Sequence, residues 1–184
     1  MATLLRRLGA SRRGSISVEF LAVTPILLIM LFGVIDIGNV MWTRFRLNAA
    51  VAAGVNYSIV RAADVSGSNA GAVASSVAKL VASASQTSDV AATVVVNNGP
   101  VATVTGGGDV AMSGTTGPAT NGQCYCPASA GDWSVTMTCG ASCSTGLAGR
   151  FVQITASKTY TPLFSTYGIV QGGSIVATNM VQTQ

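Results

Sequence analysis

The chain contains no histidine. That removes the commonest general base, the commonest metal ligand and every Ser-His or Cys-His arrangement. Charged residues make up only 9% of the 184 residues and apolar ones 49%, a balance too hydrophobic for disorder and too poor in charge for an ordinary cytosolic protein. The only lysines are Lys79 and Lys158, and no Ser-x-x-Lys pattern precedes either, so a hydrolase built on a lysine-activated serine is not expected. Cysteine is absent outside Cys124 to Cys143, and no C-x-x-C redox pair is present. The glycine run Gly106 to Gly108 lacks the lysine and helix of a phosphate cradle and reads as a plain loop. No enzymatic activity and no cofactor are expected.

The formal net charge of +4 resides in Arg6, Arg7, Arg12 and Arg13. Beyond residue 14, Arg44, Arg46, Arg61, Lys79, Arg150 and Lys158 balance six acids, so a nucleic-acid partner has no electrostatic footprint there. This basic leader, residues 1–14, is followed by sixteen uncharged residues from Phe20 to Ile35, and the apolar character continues to Trp42. As a helix, Ser15 to Trp42 would measure about 42 Å against a hydrocarbon core of about 30 Å, enough to span a bilayer. The excess of arginine before the segment puts the N-terminus in the cytoplasm and everything after Trp42 outside. Cleavage by a conventional signal peptidase near Ala50, Val51 and Ala52 is disfavoured by Arg44 and Arg46, which lie between the apolar core and that site.

The alanine-rich RFRLNAAVAAGVNYSIVRAA contains no proline and extends the helix to about Ala63. In AGAVASSVAKLVASA, Val73, Val77, Leu80 and Val81 recur at helical spacing, predicting a short second helix. Thereafter VAATVVVN, VATVT, WSVTMTC, FVQITASKTYTP and GSIVATNMVQ are rich in β-branched residues, with Gly, Asn and Pro between them. The expected fold is α+β, with residues 15–63 as one long helix and 64–184 as an exported domain holding an antiparallel sheet of four or five strands. The tract TGGGDVAMSGTTGPATNG is expected to be a loop.

The four cysteines in CYCPASAGDWSVTMTCGASC predict a hairpin at 124–143 clasped by disulfides rather than a zinc site, since the spacing departs from zinc fingers and the compartment is oxidising. Of the three pairings, a bond between Cys124 and Cys126 is disfavoured because strand neighbours two apart present poor bridge geometry. The nested arrangement, Cys126 with Cys139 and Cys124 with Cys143, is expected.

The string RRGSISVEF, with Gly14, Ser15, Glu19 and Phe20, resembles the class III signal sequence of the type IV pilin superfamily. That resemblance implies cleavage after Gly14 by a prepilin peptidase on the cytoplasmic face, leaving the helix attached. A carboxylate at the start of a membrane helix is costly unless paired. Cleavage would create an amine at Ser15, and a neighbouring subunit's amine would neutralise Glu19 during assembly. Glu19, Pro25, Leu27 to Leu31, Asp36 and Ala49 to Ala53 further resemble the TadE-like proteins of the tight-adherence (Tad, or Flp) pilus system. The closing FVQITASKTYTPLFSTYGIVQGGSIVATNMV is also similar to that family's last strands, with a turn at Tyr160 to Phe164.

Pro25 forfeits a backbone bond and bends the helix, either as a harmless kink or as a fit to neighbouring helices. Asp36, about 25 Å beyond Glu19, either snorkels to the outer interface or meets an arginine of a partner. Trp42 suits the interfacial aromatic belt. The resemblance implies a minor pilin or pseudopilin in the inner membrane, single-pass, with its C-terminal domain periplasmic, or extracellular once in a pilus. Its implied partners are the prepilin peptidase, other Tad pilins, the inner-membrane assembly platform and the lipid bilayer. The alternative is a single-pass anchored binding domain that enters no filament.

Overall fold

The computed structural model describes residues 15–86, 89–106, 108–114, 122–126, 136–144, 146–162, 170 and 173–184. The chain divides into two compact units, Met1–Asn39 with Pro162–Ile169, and Val40–Thr161 with Val170–Gln184. The fold is α+β: a long helix α1 (Ser15–Val60), a 3-10 turn (Ala62–Val65), a second helix α2 (Ala70–Ala84) and then strands.

In the first unit, α1 carries Pro25 within its span. Its side chains from Phe20 to Ile37 are mostly exposed, including Phe20, Leu21, Leu27, Met30 and Val34. Thr24 turns its hydroxyl back to the Phe20 carbonyl at 2.6 Å, which satisfies that polar group within the helix.

In the second unit, strands β1 (Val90–Val96), β2 (Pro100–Val104), β3 (Val110–Gly114), β8 (Phe151–Thr159) and β9 (Ser174–Gln182) form one antiparallel sheet in the order β3-β2-β1-β8-β9. Burial alternates strictly along β1 and β2, the period-two signature of a sheet with one covered face. Val90, Ala92, Val94 and Val96 of β1 meet Ala102 and Val104 of β2 and Val152, Ile154 and Ala156 of β8 in the core. Two helices cover them. Helix α2 packs over β1 and β2 through Ala70, Val73, Ala74, Val77, Ala78 and Val81, a stripe at helical spacing. Leu80, expected on that stripe, is only half-buried, because it falls one position to the side of it.

The second helical layer is the latter part of α1, which buries Leu47, Ala50, Val51, Gly54 and Ser58. At Gly54 the absence of a side chain is needed. A Cβ there would lie 2.7 Å from Val81 Cγ2, 3.1 Å from Ile154 Cδ1 and 3.2 Å from Val77 Cγ1. The backbone of α1 thereby approaches both α2 and β8. Ser58, four residues on, is fully buried and donates its hydroxyl to the Gly54 carbonyl at 2.9 Å, so the groove holds no orphaned polar atom at that point.

The β1-β2 connection turns through Asn97 (φ 46°) and Asn98 (φ 55°), with Gly99 N–H donating to Val96 O at 2.9 Å. Two consecutive left-handed residues are what a type I′ hairpin turn requires, and asparagine tolerates that conformation best after glycine. Asn97 is also buried. Its side-chain amide donates to Gln123 O at 2.8 Å, and its backbone N–H donates to Phe151 O at 2.8 Å, tying the turn to the strand entering the sheet and to the cysteine region.

Two strand expectations need correction. The segment WSVTMTC does not join the main sheet: within it Thr136–Met137 forms β5, paired with β4 (Cys124–Tyr125) in a separate two-stranded ribbon, while residues 133–135 lie outside the described residues. The fifth sheet strand is instead β3, from the tract expected to be a loop. It pairs with β2 from Pro100 opposite Gly114 to Val104 opposite Val110. As an edge strand it buries little, so it carries almost no apolar pattern for sequence reading to find.

Candidate functional site

Helix α1 is described from Ser15 onward, and Gly14 lies outside the described residues. Glu19 and Phe20 are exposed in its second turn, with Phe20 68% accessible. The helix from Glu19 to Val60 is long and apolar enough to cross a membrane, and only 6% of its most apolar window is buried within the chain. A soluble helix this apolar would bury its side chains in a core. An outward-facing array of Ile, Leu, Phe and Met is stable only against lipid or other apolar helices.

Asp36 departs from this pattern. It is 1% exposed and is engaged within the chain. Beyond it, Trp42 is exposed and the Arg46 guanidinium lies 5.1 Å from its ring centroid, a cation–π contact one helical turn apart. The first charges after Asp36 are Arg44 and Arg46, so the aromatic and cationic residues are gathered where the apolar stretch ends.

The second predicted feature, the cysteine clasp, is built on the ribbon of β4 and β5. All four cysteines are bonded, Cys124 to Cys139 and Cys126 to Cys143, with Cα separations of 5.1 and 5.7 Å. The pairing is crossed, not nested. The ribbon's register explains the difference. Cys124 stands opposite Met137, which puts Cys139 two positions past Cys124's partner, within reach on the same face. Cys126 is four positions out of register with Cys139. The chain then turns at Gly140, whose φ of +80° favours glycine, and comes back through β6 (Ser142–Cys143) and β7 (Gly146–Leu147), delivering Cys143 to Cys126.

The clasp is joined to the sheet. Tyr125, 2% exposed, exchanges backbone bonds with Gly149 at 2.8 and 3.0 Å, just before β8 begins. Arg150 donates to Gly122 O at 3.2 Å and also to the Gln184 side chain, joining the clasp to the C-terminus. Arg150 and Asn97 were not singled out in the sequence. Arginine and asparagine in isolation carry no pattern, and only their placement across 28 and 26 residues of chain gives them these roles.

One apolar helix of membrane-spanning length, which fits a single-pass anchor, precedes an α+β domain held by two disulfides. Residues 14–56, most of helix α1, match the model of the TadE-like protein family. No curated protein and no solved structure matches the chain.

Proposed function

We propose that the chain is a membrane-anchored minor pilin, or pseudopilin, of a Tad-type pilus, cut after Gly14 by a prepilin peptidase and acting in assembly rather than catalysis. The observation that carries this reading is that the family match opens at residue 14, on the glycine of RRGSISVEF, and runs into a helix whose Glu19 stands exposed ahead of an outward-facing apolar stretch. The helix then serves first as membrane anchor and later as the surface that packs with other pilins and with the assembly platform. Four arginines in the leader hold the N-terminus in the cytoplasm, so the domain beyond Trp42 faces the periplasm, where its disulfides persist. In this reading Glu19 pairs with the N-terminal amine of a neighbouring pilin, and Pro25 shapes the helix where it meets that neighbour.

N-terminal sequencing of protein purified from its host tests the reading. The mature chain is expected to begin at Ser15, and Gly14→Ala is expected to leave a longer precursor in the membrane. A mature chain that retains Met1, or that starts near Ala53, overturns it.

A further inference from the structure

Where the apolar stretch of α1 ends, Trp42, Thr43, Arg46 and Leu47 form one wall of a small cleft of about 120 Å³, and Ser85 and Lys158 close it from the domain side. Arg46 comes from the helix and Lys158 from strand β8, opposite Val90 at the end of its ladder with β1, more than a hundred residues later. Both are half-buried, and neither forms an ion pair within the described residues. Among the described residues, no carboxylate lines the cleft. The nearest acid along the sheet is Asp89, which precedes Val90, the register partner of Lys158. Two cations converging on one cleft without an acid between them repel one another, and an anion supplied from outside removes that cost.

We infer that this cleft binds the phosphate of an anionic phospholipid headgroup in the outer leaflet of the membrane that α1 spans. The inference rests on the membrane-anchor reading of α1. Its height is what selects a lipid over other anions. Glu19 to Trp42 covers about 35 Å as a helix, so Trp42 falls at the interfacial belt and Arg46 about one turn further out, level with lipid phosphates. The chemistry also matches. A guanidinium presents a planar fork to phosphate oxygens, Trp42 holds it in place by its ring face, and Lys158 adds a point charge from the opposite side. Arg44 lies two residues from Arg46 on a different face of α1 and does not line the cleft. The bound headgroup would fix the domain against the membrane surface before the subunit leaves it.

The test uses the full-length protein reconstituted into bilayers of phosphatidylcholine with 30% phosphatidylglycerol, extracted mildly, with the retained lipids counted by mass spectrometry. In wild type the ratio of retained phosphatidylglycerol to phosphatidylcholine is expected to exceed the bulk ratio by about fivefold for each cation that contributes. Arg46→Gln with Lys158→Gln should return retention to the bulk ratio, and Lys158→Arg should preserve the enrichment. Lys79→Gln, which removes the same charge elsewhere, should leave it unchanged. Equal loss in Lys79→Gln, or no loss in the double variant, overturns the site. So does saturable binding of inorganic phosphate by the lipid-free protein without any phosphatidylglycerol enrichment. Flotation with vesicles of phosphatidylcholine alone separates the two readings: protein that floats but shows no enrichment refutes only the cleft, whereas protein that floats with no vesicle refutes the anchor and the cleft together.

Discussion

Replacing Gly54 by alanine sets two opposed effects against each other. Alanine is the better helix former by about 1 kcal/mol. The added methyl, however, would sit 2.7 Å from Val81 Cγ2, against a β-branched side chain that is fully buried and held by its own helix. Ile154 Cδ1, at 3.1 Å, is the end of a longer side chain and can yield. Val81 can move only by shifting α2. Overpacking of this kind costs about 1 to 3 kcal/mol, so Gly54→Ala should destabilise the domain by about 1 kcal/mol net, lowering the melting temperature by about 2 to 5 °C. Gly54→Val forfeits the helix-propensity gain and adds two more methyl groups, and it should cost about 3 kcal/mol. Gly38→Ala is the control, since nothing lies within 4 Å of a Cβ there. Thermal unfolding of full-length protein in detergent, followed by near-ultraviolet circular dichroism, reads all three. If Gly54→Val melts within a degree of wild type, the close approach of α1 to α2 and β8 is refuted.

Glu19→Gln should leave insertion, cleavage and abundance intact while impairing pilus formation and cross-linking to partner pilins; unchanged assembly at matched expression would count against the pairing assigned to Glu19. Peptide mapping under non-reducing conditions should return Cys124 with Cys139 and Cys126 with Cys143, and the nested map would contradict the ribbon register. Removing either bridge by a paired Cys→Ala change should cost about 3 kcal/mol, from loops spanning 15 and 17 residues, as measured by denaturant unfolding. Asn97→Ala should cost about 1 to 3 kcal/mol by leaving Gln123 O without its donor and forcing alanine to a positive φ, and a variant as stable as wild type in the same assay would refute that role.

The helices and most of the sheet were legible because their physical signals are local. A run of apolar residues without charge from Phe20 to Ile35 is a helix in lipid whatever follows it, and β-branched alternation in VAATVVV reports a strand with one covered face. The resemblance carried by RRGSISVEF was legible for the same reason, since it rests on a short contiguous string. Strand β3 was not, because an edge strand with one half-buried valine leaves no periodicity.

What the sequence alone determined is therefore the two helices, four of the five strands of the main sheet, an apolar stretch long enough to span a bilayer, and the fact that the four cysteines belong together. Tertiary structure decided which cysteine meets which, because a shift of two positions along a two-stranded ribbon separates one pairing from the other and no local preference sets that register. It also decided that Gly54 is a packing contact rather than a neutral residue in an alanine-rich stretch, and that Lys158 stands beside Arg46. Those are properties of surfaces brought together from distant parts of the chain, and they exist only once α1, α2 and β8 have packed.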